Sequence, residues 1–450
     1  MAMTAVFRRY GTRIMFGVAI VAAIAAPAKA TEIQRVVSAG GVEAWLVEEH
    51  TIPLISVDFA FRAGAAADPQ DRLGVANLLS TLLDEGAGDM DAQAFQTRLE
   101  ELAVNISFNA SRDNFDGSMK TLTRNADEAF QLLALAINQP RFDDDAIERM
   151  RAAALSRLRQ AEEDPDTIAA RRWFETALGK HPYARPVMGT QDSLHEIKAD
   201  DLRAARARLF TRDRLKVAVV GDIDAAALKK YLDLLFANLP ATSDLIDPAA
   251  ADIAAGPSRQ IIDMDIPQTV VMFGHAGIAR KDPDFIAAYV LNEILGGGTF
   301  SSRLYDEVRE KRGLAYSVYT NLYPLDHAAL FIGGVATQND RAGEALAIIE
   351  RELQRLAAEG PTEEELASAK SHLTGSYALR FDSSGKIANA LVAIQLEELG
   401  IDYINKRNDM VNAVTIEQIK NVAARLLAPG HLITTIVGRP TGLEEIRPRG

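Results

Sequence analysis

Two stretches of the chain repeat the same order of hydrophobic and polar patterns. In each, an alternating apolar run typical of a strand precedes a more continuously apolar helix. Acidic residues then open a longer helix, in the first turn where the helix dipole favours negative charge, and a strand-like run closes the stretch. These features lie near 55–61, 73–83, 142–149 and 215–221 in the first stretch, and near 269–274, 286–295, 361–370 and 432–438 in the second.

The repeated order predicts an internal duplication, because chance similarity rarely gives four features in one order. We expect an α+β fold of two homologous domains that face each other across a cleft. Each domain is an antiparallel-rich sheet covered by helices on one face. Residues 241–258 are rich in Pro, Ala and small polar residues without periodicity, which predicts a linker. The two domains then span 31–240 and 259–450, ordinary sizes for single domains.

Residues 1–30 have the pattern of a signal peptide. Arg8, Arg9 and Arg13 precede an uncharged run at 14–28, and a small-x-small cleavage signal ends at Ala30. The run of about 15 residues is short for a membrane span of roughly 20, although an uncleaved anchor is the alternative. We expect an exported protein that is not in the membrane after cleavage, and a periplasmic one if the host is a Gram-negative bacterium.

Composition narrows the chemistry that the chain can carry. Its 450 residues are 48% hydrophobic and 25% charged, as in ordinary globular proteins, and the net charge of −13 argues against nucleic acid as a partner. The chain has no cysteine, which excludes disulfides, thiolate zinc sites and iron–sulfur clusters. A metal would need His, Asp or Glu, and there are only 7 His.

Four sequence blocks resemble one family of proteins. They are RAGAAADP at 62–69, GVA at 74–76, HPYARPVMGT at 181–190 and GGGTFSSRLYDEVREKRGLAYS at 296–317. Over nearly all of 35–445 the chain resembles the pitrilysin/insulinase family of zinc metallopeptidases, in the bacterial branch akin to the mitochondrial processing peptidases. His181 is the only His inside these blocks, and we expect it to be structural.

The resemblance implies an H-x-x-E-H zinc motif on the helix after the first strand, but the aligned residues are Asn77, Ser80 and Thr81. Amide and hydroxyl oxygens are poor zinc ligands beside imidazole, and a serine is no general base near neutral pH. The family's third ligand is a Glu aligned with 152–158, which has no carboxylate. We therefore expect no catalytic residue and no metal in this chain. The polar positions are either a remnant of a peptide cleft or, as we favour, a face satisfied by its neighbours.

The second domain keeps the residues that the family uses on its substrate. The resemblance assigns substrate binding and support of the transition state to Arg309 and Tyr316, seven residues apart. The two side chains are two helical turns apart and would point the same way if the helix persists to Gly313. Gly296, Gly297 and Gly298 would let a peptide backbone approach; a phosphate cradle is the alternative, but the lysine of a P-loop is missing.

The sequence thus predicts a non-catalytic, substrate-binding subunit of an exported heterodimeric zinc metalloendopeptidase that cleaves peptides or small proteins. Its partner would be a homologous chain that carries H-x-x-E-H and the zinc. The alternative is a stand-alone peptide-binding or scaffolding protein of the cell envelope. A hydrolase using other residues ranks last, because no nucleophile-elbow G-x-S-x-G or Ser-His-Asp order occurs.

Overall fold

The computed structural model describes residues 32–298 and 301–446. The predicted signal peptide lies outside the described residues. All described helices and strands belong to one unit that starts at Ile33. Within the described ranges, no helix combines the length and the apolar character needed to cross a bilayer.

The strands of the described residues form two sheets. They are β1 (Gln34–Val37), β2 (Glu43–Glu48), β3 (Leu54–Phe61), β4 (Asn105–Ala110), β5 (Phe115–Leu122), β6 (Leu215–Gly221), β7 (Ser258–Ile262), β8 (Gln268–Ala276), β9 (Ala315–Pro324), β10 (Ala329–Gln338) and β11 (Ile433–Val437).

The α-helices cover these sheets. They are α1 (Val75–Ser80), α2 (Ala92–Leu102), α3 (Ala126–Asn138), α4 (Asp144–Glu163), α5 (Pro165–Leu178), α6 (Gln191–Glu196), α7 (Ala199–Leu209), α8 (Ala225–Phe236), α9 (Phe285–Asn292), α10 (Ala342–Glu359), α11 (Glu363–Gly375), α12 (Ser384–Leu396), α13 (Tyr403–Ala413) and α14 (Ile416–Leu426).

The two sheets have related topologies. The first has the order β1-β2-β6-β3-β5-β4 and the second the order β7-β11-β8-β10-β9. Each is antiparallel except for one pair that includes its closing strand, β2 with β6 and β7 with β11. The expected α+β fold with antiparallel-rich sheets is confirmed. The domain bounds 31–240 and 259–450 stay a prediction.

Alternation along β3 explains how the first sheet is covered on both faces. Ile55, Val57, Phe59 and Phe61 point into the main core of the first half. The intervening Ala60 packs instead with residues of α12, which comes from the second half of the chain. Gln395 of α12 also donates a hydrogen bond of 2.9 Å to the Val217 carbonyl in β6.

The second sheet receives a helix from the first half in return. Trp173 and Phe174 of α5 pack against Leu330 and Ile433 of the second sheet. The Trp173 indole donates a hydrogen bond of 3.0 Å to the Ile433 carbonyl. The two halves thus exchange helices, and each completes the hydrophobic burial of the other half's sheet.

Polar contacts reinforce this exchange. Arg62, the first residue of the RAGAAADP block, donates to Asp326 at 2.8 Å and to the Leu396 carbonyl at 2.6 Å. The Tyr183 hydroxyl donates to Asp113 and accepts from the His327 amide. Two of the sequence blocks therefore join the halves.

The same exchange buries an acid whose ionisation should make stability depend on pH. Burial, with a smaller effect of the Asp116 carboxylate, raises the pKa of Asp58, on the α12 face of β3, to about 7, although a hydrogen bond with Asn389 of α12 lowers it. The folded chain then keeps a proton that the unfolded chain loses near pH 4, so the contribution of Asp58 to stability is greatest in acid and is lost as the pH rises towards 7.

We expect Asp58→Asn to raise the free energy of unfolding at pH 8 by roughly 2 kcal/mol, a value discounted for the partial exposure of this carboxyl. Urea denaturation at pH 4 and pH 8 measures this effect. The exposed Asp200→Asn is the control. An equal change at both pH values would contradict the interpretation.

Candidate functional site

The helix that carries the predicted zinc-motif positions, α1, has only 6 residues, and its N-terminus is capped by Asp68, which lies before the helix. Asp68 is only 3% exposed, and its carboxylate accepts hydrogen bonds from the Gly74 and Ala76 amides at 2.8 and 3.3 Å. These amides lie at the N-terminus of α1, where they have no partner within the helix. The aspartate of the RAGAAADP block therefore fixes the start of α1.

Two glycines of the sequence blocks let the chain pass closely at the same place. Gly74 has a φ of 87°, and a Cβ there would lie 2.6 Å from the Met188 carbonyl oxygen. Gly189 has a φ of 78°, and its Cβ would lie 2.3 Å from the Leu73 carbonyl oxygen. Both positions require glycine, and the GVA and HPYARPVMGT blocks therefore pack closely against each other at the start of α1.

Replacing the cap should weaken the base of α1. We expect Asp68→Ala to lower the free energy of unfolding by about 2 kcal/mol, because two buried amides lose their acceptor. Chemical denaturation measures the effect, with the exposed neighbour Asp71→Ala as the matched control. Equal losses in the two variants would show that the cap is unimportant.

The three residues at the zinc-motif positions are mostly satisfied within their own helix. The Ser80 hydroxyl is buried and donates to the Asn77 carbonyl at 2.7 Å. Thr81 donates in the same way to the Leu78 carbonyl at 2.8 Å. Asn77 is partly exposed. This is the arrangement expected of a polar face satisfied by its neighbours.

The stretch aligned with the third ligand does not complete a metal site either. On α4, Leu155 and Leu158 are buried, whereas Ser156 and Arg157 face solvent. Within 32–298 and 301–446, no group of three or more His, Asp or Glu side chains could hold a metal ion. An amide and two hydroxyls that already donate to carbonyls do not fit Zn²⁺.

Arg309 and Tyr316 lie in contact, but not in the way that their spacing suggests. A π-helical segment, Tyr305–Glu310, ends before Gly313, so the condition of a helix that persists to Gly313 is not met. Gly313 has a φ of 60°, and the turn is closed by its amide, which donates to the Arg309 carbonyl at 2.8 Å. The chain then reverses into β9, which carries Tyr316 beside Arg309.

The Arg309 guanidinium lies between two aromatic rings. Its Cζ is 4.8 Å from the ring centre of Tyr316 and 4.8 Å from that of Tyr305, whose hydroxyl accepts its hydrogen bond. Tyr316 is 82% exposed, and its ring is positioned by the contact with the Arg309 guanidinium. Sequence reasoning missed Tyr305, which the i, i+4 spacing to Arg309 could have revealed.

A network of charges holds the segment that carries Arg309. Glu307 is 8% exposed and accepts from Lys311 at 2.7 Å and from Arg312 at 2.6 Å. The hydrogen bonds from Lys311 and Arg312 lower the pKa of Glu307, against the effect of burial. Arg303 is tied to Glu365 of α11 at 2.5 and 2.8 Å. The Arg309 backbone is therefore anchored while its side chain stays accessible.

The three consecutive glycines serve close packing. A Cβ on Gly296 would lie 2.5 Å from the Thr320 hydroxyl of β9. On Gly297 it would lie 2.7 Å from the Asn292 amide nitrogen, and on Gly298 2.9 Å from a Glu293 carboxylate oxygen. Gly296 lets this segment approach the strand that carries Tyr316, whereas Gly297 and Gly298 lie against the preceding turn. Their predicted use by a peptide substrate stays a prediction.

The predicted residues thus form two separate groups. Gly296 lies against Thr320 of β9, the strand that also carries Tyr316, and Arg309 contacts the Tyr316 ring. Among the described residues, no hydrogen bond, ion pair or ring contact links Asn77, Ser80 or Thr81 to Arg309 or Tyr316. His181 is structural: its ring contacts the Ala249 carbonyl at 2.9 Å and accepts from the Tyr183 amide.

Comparisons with known proteins cover both halves of the chain. Residues 45–191 match the family described as insulinase (peptidase family M16), and residues 196–373 match the one described as peptidase M16 inactive domain. The non-peptidase homolog YmxG of Helicobacter pylori is 30% identical over 378 residues, 83% of this chain and 86% of that protein.

Two further proteins agree on the family. An uncharacterized zinc protease of Streptomyces coelicolor, SCO5738, is 31% identical over 289 residues, 62% of this chain and 61% of that protein. The crystal structure of a peptidase M16 inactive domain from Pseudomonas fluorescens superposes with a TM-score of 0.86 at 27% identity, over 92% of this chain and all 100% of that chain. All four sequence blocks lie inside the matched ranges, and the chain belongs to the insulinase family, peptidase family M16.

Proposed function

We propose that the chain is the substrate-binding subunit of an exported, heterodimeric zinc metalloendopeptidase that cleaves peptides or small proteins. The chain is a non-catalytic member of its family, with Asn77, Ser80 and Thr81 at the zinc-motif positions. The observation that carries the proposal is an asymmetry. The zinc-motif positions of the first half carry no residues that fit zinc, while the second half presents Arg309 in contact with two rings and an exposed Tyr316.

The surroundings of Arg309 suit it to an anionic oxygen of a substrate. Its nearest carboxylate, that of Glu310, is 4.0 Å away, which is too far for a strong ion pair. The two rings fix the direction of the guanidinium before a ligand arrives. A preorganised donor of this kind stabilises negative charge that develops on a reacting carbonyl oxygen, and the Tyr316 hydroxyl can donate to the same oxygen.

The zinc and the general base would come from a homologous partner with H-x-x-E-H. Export of the pair is supported by the signal-peptide pattern at 1–30, and a periplasmic location follows in a Gram-negative host. One relative is named a non-peptidase homolog, and this name favours a role in which the present chain does not cleave peptides by itself.

Co-purification tests the pairing. We would tag the chain at its C-terminus, recover it from the envelope fraction of its native host, and identify stoichiometric partners by mass spectrometry. We expect one M16 chain that carries H-x-x-E-H in an equimolar amount. Recovery of the chain alone, or as a homodimer only, would contradict the heterodimer and favour a stand-alone peptide-binding protein.

A further inference from the structure

A groove rich in aromatic residues lies between α9, β9 and α12. We call it the aromatic groove; its volume is about 800 Å³, and the short segment Tyr377–Phe381 forms one wall. Such a volume is in the range of sites that bury small ligands or a few residues of a peptide. Its aromatic side chains are Phe285, Tyr289, Tyr377, Phe381 and Tyr403.

The charge of this groove is opposite to that of the whole chain. Four cationic side chains line it, namely Arg280, Arg380, Lys386 and Arg407, and one carboxylate, Glu397. Glu397 is paired with Arg280 at 2.5 Å and Lys386 with Asp382 at 2.8 Å, which leaves Arg380 and Arg407 as the lining cations without an ion pair among the described residues. In a chain with a net charge of −13, a cationic groove selects anionic ligands.

Arg407 gives the groove a buried cation without a counter-ion. It is 4% exposed, and no carboxylate of the described residues lies within ion-pair distance of it. Its donors reach the Leu373 carbonyl at 2.7 Å, the Asn408 side-chain oxygen at 2.9 Å and the Tyr289 hydroxyl at 3.2 Å. These bonds use three of its five N–H groups. The ring centres of Tyr377 and Tyr289 lie 4.5 and 5.4 Å from its Cζ, and an anion adds the counter-ion that these ring contacts do not supply.

We infer that the aromatic groove binds a peptide segment in which a carboxylate lies beside an aromatic or aliphatic side chain. Arg407 and the exposed Arg380 receive the carboxylate, and the aromatic wall of the groove receives the apolar side chain. The inference deepens the proposed function and rests on it for the peptide nature of the ligand. The selection of an anion rests on Arg407 and its missing counter-ion.

Calorimetric titration of the mature chain tests this assignment. The probes are the N-acetylated, C-amidated hexapeptide Gly-Gly-Phe-Glu-Gly-Gly, its counterpart with Gln in place of Glu, and phenylacetate. We expect the Glu peptide to bind about ten-fold more tightly than the Gln peptide. Arg380→Ala should weaken the Glu peptide about three-fold and leave the Gln peptide unchanged. Arg159→Ala, an exposed arginine on α4, is the matched control.

The outcomes separate this inference from the proposed function, because neither a partner nor zinc is present. Equal affinity for the two peptides, or equal behaviour of Arg380→Ala and Arg159→Ala, would overturn the anion assignment. Phenylacetate that binds as tightly as the Glu peptide would overturn the assignment of a peptide. Arg407→Gln should equalise the two peptides, with thermal melting as a check that the variant folds; Arg380→Ala keeps the test valid if it does not.

Discussion

Replacing Trp173 by alanine is expected to lower the free energy of unfolding by about 4 kcal/mol. Trp173 is fully buried, and through it α5 of the first half packs against the second sheet. Truncation leaves a large cavity and removes the donor to the buried Ile433 carbonyl. Urea denaturation followed by circular dichroism measures the loss.

The neighbouring Arg172→Ala is the matched control, because its exposed ion pair with Glu175 contributes little. A loss below about 1 kcal/mol for Trp173→Ala would mean that α5 does not hold the two halves together.

The same helix exchange predicts that residues 33–257 do not fold when produced alone, since the α12 face of the first sheet would be left uncovered.

In the reconstituted pair, Arg309→Ala is expected to lower kcat/KM about 100-fold. The guanidinium is held between Tyr305 and Tyr316, so its loss removes a donor that needs little reorganisation. Tyr316→Phe should lower kcat/KM about ten-fold, because it removes one hydroxyl and keeps the ring. Peptide turnover and gel filtration together separate a loss of activity from a loss of assembly.

The control for this series is Arg341→Ala, a partly exposed arginine of the second half that pairs with Glu344. It should match the unmodified pair in both assays. Turnover that is unchanged in Arg309→Ala, with assembly intact, would remove the assigned role of the Arg309–Tyr316 pair.

The pattern of hydrophobic and polar residues was sufficient to predict individual strands and helices. The alternation at 55–61 is β3, and the acidic starts near 142 and 361 lead into α4 and α11. The prediction of a degenerate zinc site at Asn77, Ser80 and Thr81 rests on the sequence alone, because ligand chemistry depends on residue type.

Features that depend on tertiary structure were not predictable. An apolar stripe on α5 or α12 shows that the helix is buried, but not that it packs on the sheet of the other half. The turn at Gly313 brings Arg309 against Tyr316 without the continuous helix that their spacing suggests. The missing counter-ion of Arg407 is equally invisible in the sequence, because it depends on which groups surround the buried side chain.

Zinc content and peptidase activity of the separate and combined chains test the central claim most directly. The account predicts that this chain alone retains no stoichiometric zinc after dialysis and cleaves no peptide. It predicts that the H-x-x-E-H partner holds one zinc, and that full activity requires both chains. Tightly bound zinc together with peptide cleavage by this chain alone would contradict the account.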